Sequence, residues 1–210
     1  MNFYREGLDV DQLLILNQSA AFLAERGFYL AGGTALAIYY AHRRSADLDW
    51  FTTQPLKDPL ILAQSLKDSG LALVVDQTAP GTLHGHIGVV RTSFFEFRYP
   101  FLQPVNRWLE TGCELASLDD LACMKLSAIA QRGSKKDFFD LYALITHHRP
   151  LAEMLLLYRQ KFSVSDITPV LYGLAYYDDA DQETDPMLLW DTTWQAVKEK
   201  ISGWLKEIYR

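Results

Sequence analysis

Apolar positions recur first at helical, then at strand, then again at helical spacing. Leu13, Leu16, Ala20 and Leu23 fall on one face of a helix predicted over 9–26, and Gly27 suits its C-terminal cap. Phe28-Tyr29-Leu30-Ala31 is a short apolar strand followed at once by Gly32-Gly33. Thr34 to His42 then reads as a helix with Leu36, Tyr39 and Tyr40 on one side. Ala46 to Phe51 alternates as a second strand, so Asp47 and Asp49 project side by side. Pro55 and Pro59 punctuate a loop before a helix from Leu60 to Leu66, and Leu71–Val75 is another short strand. Two more strands are predicted over 82–90 and 92–99. In the second, Phe94 and Glu96 share one face and Phe95 and Phe97 the other.

Beyond Pro100 and Pro104, which end this sheet region, the period becomes helical and stays so. Ser117 with Asp120 resembles a capping box ahead of a helix over 118–131, and Gly133 and Pro150 divide it from helices over 135–147 and 151–161. A fourth helix is predicted after Ser165 and a last one from Met187 to Tyr209, with Asp178–Asp185 a solvated acidic connection. The expectation is an α/β core over residues 1–112 followed by a helical region over 113–210. Internal repeats and low-complexity tracts are absent from the sequence.

Composition narrows the class. The chain of 210 residues is 49% hydrophobic and 22% charged, which excludes a disordered polymer. Apolar runs are too short to cross a bilayer, and the first residues lack a signal peptide's basic and apolar regions, so a cytoplasmic protein with no membrane partner is expected. Two cysteines, Cys113 and Cys123, make no disulfide framework and are expected as buried thiols. A net charge of −6 argues against broad adhesion to nucleic acid, leaving Arg43, Arg44, Lys125, Arg132, Lys135 and Lys136 as a local basic patch.

The chemistry concentrates between residues 28 and 51. Gly32-Gly33 permits close backbone approach, and the following helix start offers free N–H groups and the positive end of a dipole, which suits phosphate. Asp47 and Asp49 repel unless a hard cation, Mg²⁺ or Mn²⁺, lies between them. A triphosphate at a helix start beside a carboxylate-bound metal is the arrangement for phosphoryl or nucleotidyl transfer. A second constellation lies further on. Lys125 and Arg132 are two turns apart on one helix, while Lys136, Asp137 and Asp140 cluster on the next. A cationic face there would neutralise the phosphates.

These blocks carry a family resemblance. Gly32-Gly33-Thr34 with Asp47-x-Asp49 resembles the first motif of the DNA polymerase β-like nucleotidyltransferases. More narrowly, GGTALAIYYAHRRSADLDWF and KLSAIAQRGSKKDFFDLYAL, from Lys125 to Leu144, are similar to the two signatures of the AbiEii/AbiGii nucleotidyltransferase toxins. The resemblance implies a mixed-sheet, polymerase β-like core and transfer of a nucleoside monophosphate from an NTP to an RNA, tRNA included, or to a protein. It also implies a toxin in a toxin–antitoxin or phage-defence pair with a cognate antitoxin. It assigns Asp47 and Asp49 to the metal and Glu96 to a third carboxylate. Gly32, Gly33, Thr34, Arg44, Lys125, Arg132 and Lys136 go to the nucleotide, and Lys125, Asp137 and Asp140 to catalysis. The first motif departs from the wider superfamily in having Gly33 where Ser is usual, with Thr34 one residue on.

Two rivals belong to other classes. A catalytically silent domain of this fold would bind a nucleotide or partner; both aspartates are present, which counts against it. An antitoxin-binding module would expose Trp190, Trp194 and Trp204, whereas core packing explains their spacing more simply. His84-Gly-His86 is expected as a surface hairpin rather than a metal site, His147-His148 as a helix terminus favouring the dipole, and His42 as part of a turn. Walker A and Gly-x-Ser-x-Gly motifs are absent from the sequence.

Overall fold

The computed structural model describes residues 2–208. Its first helix, α1 (Val10–Ala24), starts on a complete capping box: Asp9 accepts from the Gln12 backbone N–H at 2.7 Å and Gln12 reaches back to Asp9 N. The face carrying Ile15, Leu16, Ala20 and Leu23 is buried, as the spacing predicts. Gly27, at φ +74°, turns the chain into β1 (Phe28–Ala31), all four residues of which are buried. Helix α2 (Gly32–Tyr40) follows with no intervening loop and leads to β2 (Leu48–Thr52).

Beyond α3 (Pro59–Asp68) come β3 (Leu73–Ala79), β4 (Thr82–Ile87) and β5 (Val90–Glu96). The hairpin between the last two turns at Gly88 and Val89, two residues earlier than the pattern suggests, because Gly88 takes φ +58°. Two short strands, β6 (Asn106–Trp108) and β7 (Cys113–Leu115), were not anticipated; three residues each are too few to show alternation. The sheet order is β3-β4-β5-β2-β1-β7-β6. Pairs β2–β5 and β1–β7 are parallel and the others antiparallel, which makes the sheet mixed. Because β7 pairs with β1, the sheet closes across the boundary expected after residue 112.

The helical region comprises α4 (Leu118–Gln131), α5 (Lys135–His147), α6 (Leu151–Phe162), α7 (Thr168–Ala175), the short α8 (Asp178–Gln182) and α9 (Trp194–Ile208). Ser117 caps α4 by accepting from Asp120 N at 3.1 Å. The buried Asp120 carboxylate in turn takes Lys161 of α6 at 2.5 Å and the N–H of Leu102 at 3.1 Å, tying the two helices to the loop after β5. Tyr209, the expected end of the last helix, lies outside the described residues. That helix starts seven residues later than expected. Residues 183–190 are instead an extended strap whose backbone bonds residues 42–44: Arg44 N donates to Met187 O at 2.8 Å and Leu189 N to His42 O at 2.9 Å. The acidic connection is therefore not simply solvated, since Asp181 accepts from Trp194 Nε1 at 2.6 Å and Glu183 from Lys135 N at 2.9 Å. Cys113 and Cys123 are buried free thiols. Among the described residues, no helix is long and apolar enough to cross a membrane.

Candidate active site

Helix α2 begins against β2. Gly32 has φ +70°, and a Cβ there would come within 3.1 Å of Asp49 Oδ2, so glycine brings the helix start and the carboxylate into contact. Arg43 and Ser45 lie over Gly33, leaving no room for a side chain. In contrast to α1, α2 has Ala31 at its N-cap and no side chain bonding its first N–H groups. Thr34 turns away from the cleft: its hydroxyl is buried and bonds Ser45 Oγ at 2.8 Å and the Asp47 carbonyl. The hydroxyl pins the entry to β2, so a phosphate would meet the Thr34 backbone N–H and not its side chain.

Asp47 and Asp49 are both half-buried, with Asp47 bordering Arg43, Arg44, Ser45 and Lys136. Burial raises the Asp49 pKa and the nearby Asp47 charge raises it further, while Lys125, Lys136 and Arg132 pull it down. A carboxylate pair whose ionisation is disfavoured by its own partner is a fit for a hard divalent cation, completed by oxygens from outside the chain. Among the described residues this face of the cleft offers the two carboxylates Asp47 and Asp49, and Glu96 does not join them. Asp49 lies opposite Ser93, and residues 49, 51, 93, 95 and 97 share the cleft side of the sheet. Glu96 has the other parity. Its carboxylate points away, and the Leu56 N–H it accepts at 2.7 Å, with Arg98 as its ion-pair partner, holds its pKa down. Among the described residues no group of three or more His, Cys, Asp or Glu is placed to hold a metal. His84 and His86 instead bond Ser93 at 3.1 Å and Asp76 at 3.2 Å.

Facing the aspartates is a buried charge network built from three segments. Arg43 donates to Asp140 through Nε at 2.7 Å and Nη2 at 2.8 Å, a bidentate pair, and Lys125 Nζ lies 2.6 Å from Asp140 Oδ2. Lys125 also donates to Asp137 at 2.9 Å, as do Arg132 Nε at 2.9 Å and Ser134 Oγ at 2.8 Å. Both carboxylates are fully buried, and their cations depress them, Asp137 to about 2 and Asp140 well below the usual range, despite the opposing desolvation. His42 Nε2 meets Asp140 Oδ1 at 2.7 Å. Burial lowers the His42 pKa, so the ring is neutral, donates through Nε2 and leaves Nδ1 buried without a partner. Asp140 is thus enclosed by Arg43, Lys125 and His42, which it anchors. Asp137 likewise positions Lys125 and Arg132. With Arg43, Lys125 and Arg132 against Asp137 and Asp140, the network keeps a surplus of one positive charge beside Asp49.

Arg132 and Lys136 are exposed at the rim, and Arg44 is exposed on the far side of Asp47. The sequence places Arg43 only within a general basic patch and gives His42 no chemistry. Their signal was charge balance: two aspartates buried on α5 need more cations than α4 supplies. On its other side Asp49 opens into a cleft of about 540 Å³ lined by Phe51, Phe95, Phe97, Met124, Lys125 and Arg132. Trp190, Trp194 and Trp204 are half-buried and packed on Tyr40 and His147, on Phe138, Phe139 and Tyr177, and on Tyr142, respectively.

The sequence profile described as nucleotidyl transferase AbiEii toxin, type IV toxin–antitoxin system, matches residues 100–204, half the chain. The chain belongs to this AbiEii nucleotidyltransferase toxin family. It is also 38% identical over 184 residues to the uncharacterized protein aq_aa25 of Aquifex aeolicus (strain VF5), covering 85% of this chain and 88% of that one. Among solved structures, JHP933 of Helicobacter pylori superposes with a TM-score of 0.60 at 19% identity, over 95% of this chain and 90% of that one. The nucleotidyltransferase toxin MenT4, Rv2826c of Mycobacterium tuberculosis H37Rv, superposes with a TM-score of 0.53 at 14% identity, over 97% and 86%. These structural likenesses establish the nucleotidyltransferase fold.

Proposed function

We propose that the AbiEii-type fold carries a metal-dependent transfer of a nucleoside monophosphate from an NTP to a hydroxyl of an acceptor, RNA or protein. The observation that supports it most is the close approach of Asp49 to the uncapped glycine start of α2, backed by the buried cations Arg43 and Lys125 and the exposed Arg132. Asp47 and Asp49 would hold Mg²⁺, which would neutralise the phosphates and the charge that develops on the leaving pyrophosphate. The N–H groups at Gly32 and Gly33 bind phosphate oxygens at the positive end of the helix dipole. Lys125, held by Asp137 and Asp140, adds fixed charge at the cleft wall, Arg132 on Asp137 adds a second, and the exposed Arg44 and Lys136 face the β and γ phosphates. A net charge of −6 confines acceptor attraction to this basic rim. As in the family, a cognate antitoxin is the expected partner.

Calorimetric titration of each NTP with Mg²⁺ tests this in the wild type and in an Asp47→Ala/Asp49→Ala variant. Binding that requires the metal and is lost in the variant is the expected result. A folded wild type that binds no NTP overturns the reading and favours a silent, partner-binding domain.

A further inference from the structure

The loop between α2 and β2, residues 41–47, carries Arg43, Arg44 and Asp47 into the site but has little structure of its own. Its one ladder contact among the described residues is an antiparallel bridge from Arg43 to Leu188. It begins at Ala41 with φ +46° and ψ +38°, a left-handed conformation that a residue with a side chain keeps only where its surroundings hold it. The second half of the loop is tied to the core: Thr34 bonds the Asp47 carbonyl, and Ser45 N donates to Gly7 O at 3.1 Å. The backbone of the first half is held by the strap over 183–190. His42 O accepts from Leu189 N at 2.9 Å and from Trp190 N at 3.2 Å, and Arg44 N donates to Met187 O at 2.8 Å. Trp190 closes that contact. Its Nε1 donates to Tyr40 O at 3.1 Å, and its ring centroid lies 5.7 Å from that of His42 and 4.8 Å from that of His147 at the end of α5. The other end of the strap is fixed by buried Lys135 at the start of α5, whose Nζ donates to Asp185 at 2.9 Å and whose N–H donates to Glu183 at 2.9 Å.

We infer that the strap is a positioning element for nucleotidyl transfer, and that Trp190 is the positioning residue that seats it. Together they fix the backbone of residues 42–44, so that Arg43 lies over Gly33 and Arg44 beside Asp47. The inference rests on the nucleotidyl-transfer reading and adds to it a residue 150 positions from the α2 carbonyl that it bonds. Asp140 grips the Arg43 guanidinium at two points, which sets the head of a long side chain and leaves its Cα to be set by something else. Arg44 depends on the strap still more. Its exposed side chain has no ion-pair partner among the described residues, so the bond from its N–H to Met187 decides where its charge starts. Pro186 and Met187 line the same cavity as Arg43, Arg44, Asp47 and Lys136, so the middle of the strap borders the charges that its ends hold in place. Fixed charges act on a phosphate only from the right distance, and a displacement of about 1 Å is enough to lose much of the effect. Asp47 and Asp49 are held by other means, through Thr34 and β2. The strap therefore governs the grip on phosphate and not the metal.

The test titrates the four NTPs, with and without Mg²⁺, into the wild type, Trp190→Ala, Trp190→Phe and Trp204→Ala, and follows amide hydrogen exchange of the same proteins without nucleotide. Trp204→Ala is the control, since it removes a half-buried ring from α9 that packs on Tyr142 and not on the loop. Trp190→Ala should weaken NTP binding on the order of tenfold, the worth of one well-placed contact to a charged group. Its binding should still require Mg²⁺, and its Arg44 and Leu189 amides should exchange on the order of tenfold faster. Trp190→Phe keeps a ring against His42 and loses only the bond to Tyr40, so it should fall between the two. It carries the test alone where thermal melting shows that Trp190→Ala has lost its fold. Trp204→Ala should melt at a lower temperature and bind NTP as the wild type does. Unchanged NTP affinity in folded Trp190 variants overturns the inference, as does an equal loss in Trp204→Ala, which would reduce Trp190 to general stability. A loss of affinity with no faster exchange at Arg44 overturns it too, because the effect would not pass through the loop. A wild type that binds no NTP removes the transfer reading and this inference with it, whereas NTP binding indifferent to Trp190 removes this inference alone.

Discussion

Asp140 is held by Arg43, Lys125 and His42, and it is the only carboxylate that Arg43 has. Asp140→Ala would leave Arg43 buried with an uncompensated charge and Lys125 with Asp137 alone, at a cost of about 3–5 kcal/mol. Urea unfolding should show it as a lower midpoint, with Asp140→Asn less severe because it keeps acceptor capacity. Asp49 behaves in the opposite sense. Its raised pKa means that the folded state disfavours its ionised form, so Asp49→Asn should stabilise the metal-free protein by ~0.5–2 kcal/mol. The same change should abolish metal-dependent nucleotide binding. Thermal melts with and without Mg²⁺ and NTP read both effects, and a destabilised metal-free Asp49→Asn would refute the account of Asp47–Asp49 repulsion.

At the scale of elements, the start of α2 is shaped by what passes over it. A methyl at Gly33 collides with the Arg43 guanidinium, which cannot swing aside because Asp140 grips it at two points. Gly33→Ala should therefore cost about 1–3 kcal/mol by overpacking. In an Arg43→Ala background the same substitution should cost almost nothing further, and a double-mutant cycle on unfolding free energies measures that coupling. Additive costs would show that the glycine serves something other than Arg43. The α2 start and the β2 carboxylates were legible because they are neighbours in sequence, 28–51. The Glu96 assignment failed because parity along β5 does not reveal which face of the sheet the site occupies; the pairing of Asp49 with Ser93 does.

The molecule as a whole joins a sheet to a helical region through buried charge, and that makes its stability depend on pH in two windows. His42 is neutral when folded because burial lowers its pKa from 6.5. The unfolded chain takes up that proton as pH falls below about 6.5, so acid favours unfolding there and stability rises again towards neutral pH. Asp137, depressed from 3.8 to about 2, contributes stability that is complete above 3.8 and is lost as pH falls through about 2. Unfolding free energies measured between pH 5 and 8 should decline towards pH 5 in the wild type, and His42→Gln should flatten that decline. An unchanged slope in the variant would remove His42 as its source.

What the sequence by itself determined was local. Helical and strand periods, the glycine turn, the Asp47–Asp49 pair and the two family signatures all lie within stretches of about twenty residues, where spacing dictates which side chains share a face. What the tertiary structure decided was which of those faces meet. Only the fold joins His42 and Arg43 to Asp140, nearly a hundred residues away. Only sheet register sends Glu96 to the other side and stacks Tyr29, Phe51 and Phe95 across three strands. The physical reason is that pairing and burial depend on partners remote in sequence, and a charged residue buried against its counterion has the same local pattern as one left in solvent.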